Sequence, residues 1–396
     1  MLRLNASELP VASSETARHI NRRIVLNLVR HRQPISRADL ARFSGLQRST
    51  VSLIIEELIA DKWVVEGPTG RLPRGRRPTF LRLNRRRAII CIDIRPSRIT
   101  LSVSDVNGSF RSQDVIPTPA DPEVALRELV RRIRPLLKTG PEISFEGIGI
   151  SLPGRIDAAT QQLVFAPNLK WPPTDLKSRI EQATGLEVAL ENAANACALA
   201  QMWFGEMGDV RNLVAVTVSE GIGAGIIADG HLFRSRTGMA GEFGHVPLDA
   251  NGPVCSCGNR GCWEVLASNR AALRYYLEAA MQGKRPPRAR PDFQDLLRLA
   301  AEGDPSATKA LDEMALQLAR GVRMIVAGLA PEAIVFVGEF TAAWDRFKPR
   351  LEQAVRQQSI SGVPVTLIPG QDGAMARLRG TVALVLDKHF GISLPA

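Results

Sequence analysis

The sequence predicts an α/β fold in two parts, with a small helical unit at the N-terminus and a larger body of two similar halves. Three observations support this division. The net charge of +11 is carried by the first ninety residues, which also show the pattern of short amphipathic helices. From Ala88 onwards, apolar runs typical of buried strands alternate with helical patterns. The order of these elements in the first half of the body recurs in the second half, which predicts two related lobes.

The composition indicates a globular protein of two or three compact units. The chain has 396 residues, of which 45% are hydrophobic, and such a length typically forms more than one domain. No apolar run reaches the roughly 18 residues that a membrane span needs. The N-terminus has no apolar segment of the kind found in secretion signals. The five cysteines do not suggest a disulfide framework, so we expect a cytoplasmic protein.

The distribution of charge is more informative than its total. Residues 1–90 contain 18 Lys and Arg against 7 Asp and Glu, whereas the remaining residues contain 33 of each kind. A basic domain attached to a neutral body is typical of nucleic-acid binding, because the clustered cations complement phosphates. A solvated surface would more often mix the two signs.

Three helices are predicted within this basic segment. Recurring apolar residues predict a first helix over 14–32. Ser36 is a suitable N-cap for a second helix over 37–43, and a Gly-containing turn at 44–46 leads to a third helix over 47–61. Two short helices joined by such a turn form a helix-turn-helix, whose second helix reads the major groove of DNA.

The segment that follows predicts a wing. Strands at 63–66 and 79–83 enclose the Gly- and Pro-rich loop 67–78, whose arginines suit phosphates or a minor groove. A helical protein-interaction domain with a basic loop is the alternative interpretation. The candidate DNA-contacting residues are Arg37, Gln47, Arg48, Ser49, Thr50 and Ser52 of the helices, and Arg74, Arg76 and Arg77 of the wing.

The body is predicted from strands and helices in alternation. We place the DNA-binding domain at 1–84, a first lobe at 85–200 and a second lobe at 201–396. A C-terminal helix within 380–396 is expected to pack back on the first lobe. The elements that define the two halves are the strands 88–94, 99–103 and 147–152 with the helix 122–137, and then the strands 213–218, 225–228 and 333–337.

A metal site is predicted in the second lobe. His245, Cys255, Cys257 and Cys262 fall within eighteen residues, and one imidazole with three thiolates is a ligand set that closes a tetrahedral structural zinc site. Glycines between them allow tight turns. Buried cysteines without a metal are the alternative interpretation. Glu242 and a second carboxylate, Glu264, flank the cluster, so a metal here would fix both groups on the wall of a pocket.

These motifs resemble the signature of the ROK family, which comprises repressors, open reading frames and sugar kinases. Glu242-Phe-Gly-His245 and the later Cys-Trp-Glu264 carry the resemblance, and the basic segment resembles the winged helix-turn-helix of the family's repressors. The resemblance implies a ribonuclease-H-like body of two lobes around a cleft. It also implies a sugar site, of which the alternative interpretation is a structural remnant. The implied sugar-binding residues are Gly154, Asn168, Asn192, Glu242, His245 and Glu264.

The parts that a sugar kinase needs differ in this chain. The first phosphate hairpin has Arg95 and Pro96 where the family's kinases have glycines, and proline lacks an amide donor. Glu220 precedes the glycines of the second phosphate loop and would repel a triphosphate. The position of the catalytic base is Ala193, which cannot accept the proton of a sugar hydroxyl. We therefore predict no catalytic residue and no enzyme activity.

The sequence is best interpreted as a repressor of carbohydrate-utilisation genes with a sugar as its effector. Its predicted partners are double-stranded operator DNA and a second copy of the chain, in a homodimer or a dimer of dimers. The resemblance places the contact between copies in the zinc-bearing lobe. Two alternatives remain, an ATP-dependent sugar kinase fused to a DNA-binding domain, and a regulator that has lost its sugar and answers to a protein.

Overall fold

A computed structural model describes the N-terminal domain and most of the body. The described residues are 14–69, 78–138, 140, 142–157, 160–166, 168–205, 207–235, 237–282, 291–358, 365–370 and 375–391. The N-terminal domain contains the helices α1 (Ser14–Arg32), α2 (Arg37–Ser44) and α3 (Arg48–Ala60) and the strands β1 (Ile35–Ser36), β2 (Val64–Thr69) and β3 (Thr79–Leu83).

The helix-turn-helix follows the local chemistry of the sequence. Ser36 caps α2, since its hydroxyl accepts the amide proton of Asp39 at 3.1 Å. Gly45 ends the helix with a φ of 72°, a conformation that favours glycine. The predicted bounds of all three helices are confirmed to within a residue or two. Strands β1, β3 and β2 form a small antiparallel sheet in that order, and the loop between β2 and β3 lies outside the described residues.

The first lobe is built on a five-stranded sheet with the order β10-β7-β4-β5-β6. Strands β4, β5 and β6 are antiparallel, whereas β7 and β10 run parallel to β4. The helices α4 and α5 cover one face and enclose an apolar core. The lobe contains β4 (Arg87–Ile94), β5 (Arg98–Asp105), β6 (Phe110–Pro117), α4 (Pro122–Leu137), β7 (Ser144–Leu152), β8 (Arg155–Ile156), β9 (Leu163–Phe165), α5 (Leu176–Thr184) and β10 (Val188–Asn192).

The second lobe repeats this connection order. Its sheet has the order β13-β12-β11-β14-β15, again with three antiparallel strands followed by two that are parallel to the first. The α/β fold with two related lobes is thereby confirmed. The lobe contains β11 (Leu213–Val218), β12 (Ile222–Ala228), β13 (His231–Leu232), α7 (Trp263–Ala267), α8 (Asn269–Gln282), α9 (Phe293–Ala301), α10 (Pro305–Leu329), β14 (Ala333–Val337), α11 (Trp344–Gln358) and β15 (Thr366–Pro369), with short 3-10 turns at Glu242–His245 and Glu339–Ala343.

Two helices cross between the lobes. Helix α6 (Ala193–Phe204) follows the last strand of the first lobe and packs on β11 and β12 of the second lobe. Helix α12 (Ala376–Phe390) follows the last strand of the second lobe and packs on β4 and β7 of the first lobe. The helix therefore begins before the predicted residue 380, and residues 392–396 lie outside the described part of the chain.

The N-terminal domain is seated on these crossing helices. Residues of α1 and α3 share an apolar core with Trp203 and Phe390, which end α6 and α12. The Trp63 ring lies 4.5 Å from that of His389 and 5.6 Å from that of Phe390. Within the described residues, no helix is long and apolar enough to cross a membrane.

Candidate functional site

A cleft of about 500 Å³ lies between the two lobes. Its volume falls in the range of small-molecule sites. All six residues that were expected to contact a sugar line this one cleft. From the first lobe come Gly154, Asn168 and Asn192, and from the second lobe come Glu242, His245 and Glu264.

The first-lobe side of the cleft is held by amide hydrogen bonds. The Asn192 side chain donates to the carbonyl of Gly154 at 2.7 Å and accepts the amide proton of Ala194 at 2.8 Å, which caps α6. Gly154 has a φ of 121°, and a Cβ there would lie 2.3 Å from the carbonyl oxygen of Phe165. Glycine is therefore required at the point where this backbone turns into the cleft.

The second-lobe side presents two carboxyl groups. Glu264 is 8% exposed, and its Oε2 accepts the amide proton of Ile222 at 3.1 Å. A Cβ on Gly221 would lie 2.2 Å from that same oxygen, so the loop before β12 fits tightly over Glu264. Burial raises the pKa of the Glu264 carboxyl and of the Glu242 carboxyl.

The His and Cys residues predicted as ligands form one compact cluster. The four ligand atoms of His245, Cys255, Cys257 and Cys262 lie within 4.8 Å of one another. His245 Nδ1 is 3.5 Å from Cys255 Sγ, and Cys257 Sγ is 3.7 Å from Cys262 Sγ. Ligands of one tetrahedral Zn²⁺ would lie about 3.3 to 3.8 Å apart, given bonds of about 2.0 to 2.3 Å. The donor set could hold a metal ion, and it is compatible with zinc.

This cluster also orients His245 toward the cleft. Nδ1 faces the thiols, while Nε2 lies 3.8 Å from Glu242 Oε2. A metal on Nδ1 would leave Nε2 to interact with a ligand, because the other ring nitrogen of a metal-bound imidazole commonly forms a hydrogen bond. His245 thus links the His and Cys cluster to the cleft carboxylate of Glu242.

The part of the cleft that a kinase would use for catalysis contains different residues in this chain. Ala193 occupies the first position of α6. Glu191 is buried, and its carboxylate accepts hydrogen bonds from Arg234 at 2.8 Å and from Asn195 at 2.9 Å. Arg95 is paired with Asp93 at 2.7 Å. The nearest carboxylate in sequence to the base position is therefore already engaged.

The candidate DNA-contacting residues divide into three groups. At the start of α3, Gln47, Arg48 and Ser49 are exposed, and Thr50 and Ser52 are partly exposed. Arg37 forms an ion pair with Glu66 at 2.9 Å. The wing residues Arg74, Arg76 and Arg77 lie outside the described residues.

One exposed residue near the start of α3 was not among the residues that the sequence predicted to contact DNA. Leu53 is 61% exposed and lies one helical turn after Ser49, opposite the buried face formed by Val51, Ile54 and Ile55. An isolated exposed leucine is common on protein surfaces. Its helical position outside the apolar face could have been read from the sequence, but only polar residues were chosen as candidates for DNA contact.

Comparison with known proteins assigns the chain to a class. The ROK family model matches residues 89–388. The xylose repressor of Bacillus subtilis is 32% identical over 388 residues, covering 96% of this chain and 98% of that protein. A crystal structure of a ROK family transcriptional regulator, a homologue of the E. coli MLC protein, is 27% identical, has a TM-score of 0.80, and is aligned over 94% of this chain and 98% of that one. The chain belongs to the ROK family.

These regulators match nearly all of this chain, whereas a kinase of the family matches three quarters of it. A ROK glucokinase from Streptomyces griseus, solved with glucose and AMPPNP, is 28% identical to this chain with a TM-score of 0.68. The alignment includes 98% of the glucokinase but 75% of this chain. The full-length matches are to regulators. The chain is a DNA-binding transcriptional repressor of this family, similar over nearly all its length to a xylose repressor, and the predicted function is confirmed at that level.

Proposed function

We propose that the body binds a sugar in the cleft without phosphorylating it, and that this binding controls how the N-terminal domain engages operator DNA. The observation that carries the proposal is that the six residues expected to contact a sugar line one cleft, in which Ala193 stands at the position of the catalytic base. Amides and carboxylates suit a sugar because each can pair with adjacent hydroxyls, and a missing hydroxyl leaves a buried group unpaired.

The residues around Ala193 support the absence of phosphotransfer. Transfer to a sugar hydroxyl needs a carboxylate in hydrogen-bonding reach of that hydroxyl. Glu191 is committed to Arg234 and Asn195. Pro96 and Glu220 line the same cleft, where one removes an amide donor and the other adds negative charge. The similarity to glucokinases favours a kinase as the second candidate.

We further propose zinc as the metal of the His245, Cys255, Cys257 and Cys262 cluster. Four protein ligands leave no open position, so the ion would be structural. Its role would be to hold the loop that carries Glu242 and Glu264 in place.

DNA binding is assigned to the start of α3 and to the wing. The exposed residues of α3 would enter the major groove, with Leu53 placed to contact the methyl group of a thymine. Arg37 would have to release Glu66 to reach a phosphate. A homodimer would present two such helices to half-sites about 34 to 36 Å apart, and we propose that the copies associate through the metal-bearing lobe.

The test is thermal unfolding of the zinc-loaded protein with D-xylose, D-glucose, N-acetylglucosamine and ATP. A sugar at about 100 times its Kd should stabilise the native state by about 2.7 kcal/mol, a shift of a few degrees. The variant Glu264→Gln should lose this shift, whereas Glu302→Gln on the exposed end of α9 should keep it. A shift with ATP together with ADP production would support the kinase. No shift with any sugar of a wider aldose panel would refute sugar sensing.

A further inference from the structure

Helix α12 connects the cleft to the DNA-binding domain. Arg377 in its first turn lines the cleft, and Phe390 at its end packs on the N-terminal domain. Fifteen residues span about 22 Å at 1.5 Å per residue. We infer that Arg377 is a positioning residue that sets α12 according to the state of the cleft, so that α12 transmits ligand binding to α1. The inference rests on the proposed sugar site.

The cleft end of this connection crosses from one lobe to the other. Arg377 is 7% exposed, and its Nη2 donates to Ser219 Oγ at 3.1 Å. Helix α12 packs on the first lobe, whereas Ser219 lies in the second lobe directly after β11. A change in the separation of the lobes must therefore stretch this hydrogen bond or move α12 with it.

Ser219 belongs to the loop that covers Glu264. Its carbonyl accepts the amide proton of Asn269 at 2.9 Å, and three residues later the Ile222 amide donates to Glu264. Gly221 lies between them, and its backbone passes so close to the Glu264 carboxylate that a Cβ there would lie 2.2 Å from Oε2. A sugar that displaces the Glu264 carboxylate would therefore shift this short loop, and Ser219 with it, because close-packed atoms transmit displacement.

The far end of α12 is bonded to the first helix of the DNA-binding domain. The last carbonyls of a helix have no intrahelical partner. Here Asn27 of α1 donates to the carbonyl of Phe390 at 2.7 Å, and Arg23 of α1 donates to the carbonyl of Lys388 at 3.3 Å. The Phe390 ring also meets the edge of Trp63. Movement of α12 along its axis would be passed to α1 through these bonds.

Helix α6 runs beside α12 and has the same two attachments. It begins at the cleft residue Asn192, and its Trp203 carbonyl accepts a hydrogen bond from Arg30 of α1 at 3.3 Å. A Cβ on Gly380 of α12 would lie 1.9 Å from the carbonyl oxygen of Ala196. At this approach the two helices cannot slide independently, so they are expected to move as a pair.

The experiment is hydrogen–deuterium exchange of the full-length, zinc-loaded protein, first without any ligand. Arg377→Gln and Ser219→Ala remove the two sides of the same bond, and each should speed exchange in the last turn of α12 and in α1. About fivefold is expected, which corresponds to about 1 kcal/mol for one hydrogen bond. Arg377→Lys should restore part of the protection. Arg350→Gln, an exposed position on α11, should have no effect.

The second arm adds the sugar that shifts the unfolding midpoint among D-xylose, D-glucose and N-acetylglucosamine. In the natural protein, exchange should change both at residues 219–222 and in α1. In Arg377→Gln, the change at 219–222 should persist and the change in α1 should vanish.

Three outcomes are decisive. Unchanged exchange of α1 in both ligand-free variants would overturn the inference, and so would a full response of α1 to sugar in Arg377→Gln. If no sugar alters 219–222, the proposed sugar site fails, while the ligand-free variants still decide whether Ser219 and Arg377 are coupled to α1.

Discussion

Replacing each of two glycines in the same helix by alanine should change the free energy of unfolding in opposite directions. Gly321 and Gly328 both lie in α10. A Cβ on Gly321 would lie 1.9 to 2.3 Å from three carbons of the Trp263 ring, whereas a Cβ on Gly328 would meet nothing within 4 Å. Trp263 is fully buried, and its Nε1 donates to the carbonyl of Gln317 at 3.0 Å. The ring is therefore fixed against α10 and has no free direction in which to move.

The magnitudes follow from two opposing terms. Replacing glycine by alanine in a helix favours folding by up to about 1 kcal/mol. Overpacking a core typically costs about 1 to 3 kcal/mol, and we take the upper end for Gly321 because the obstacle is a rigid ring. Gly321→Ala should lose about 2 kcal/mol of unfolding free energy, and Gly328→Ala should gain up to about 1 kcal/mol.

Urea unfolding followed by circular dichroism measures both variants against the natural protein. Trp263 lies between the proposed metal ligand Cys262 and the cleft residue Glu264 in sequence, so Gly321→Ala should also lower the amount of zinc retained after dialysis. A Gly321→Ala protein that is as stable as Gly328→Ala would refute the packing argument. A destabilised variant with unchanged zinc content would refute the link between the ring and the metal site.

Three further predictions concern the metal, the lost base and the DNA. Zinc removal by chelation, or Cys257→Ser, should lower the unfolding midpoint and abolish sugar-dependent stabilisation in differential scanning fluorimetry. Retained sugar binding after metal loss would contradict the proposed role of the His and Cys cluster. Ala193→Asp should give no phosphorylation in a coupled ADP assay, because Pro96 and Glu220 still line the cleft; sugar-dependent turnover would show that these residues do not exclude ATP. If Leu53 contacts a thymine, uracil at that position should weaken binding about fourfold in gel-shift titrations, because one buried methyl contributes about 0.8 kcal/mol. Leu53→Ser should lose this discrimination, and equal binding of both duplexes at every position would exclude the contact.

Local sequence features predicted the elements that depend on local chemistry. The second helix was predicted because Ser36 and Gly45 carry its caps within ten residues. The cluster around His245 was predicted because its ligands are near neighbours in the chain. The residues Gly154, Asn168 and Asn192 were placed through a family signature, and the structure brings them to one cleft wall.

Features that depend on distant residues could not be predicted in the same way. The hydrogen bond from Arg377 to Ser219 joins residues 158 positions apart, and no periodicity marks either partner. The seating of Trp63 against Phe390 depends on where two domains meet. The ion pair of Glu191 with Arg234 joins the two lobes, and no sequence pattern marks this pairing.

The crossing of α6 and α12 has a consequence for when the parts of the chain can pack together. Helix α12 is made after α1 and the whole first lobe, yet its Leu378, Val382 and Phe390 fill the core that these parts share. A nascent or truncated chain without residues 376–391 leaves that core open and leaves the DNA-binding domain without its seat. The DNA-binding domain therefore gains this support only after α12 has been made, and a chain that stops before residue 376 cannot present the same arrangement of α1 on the body.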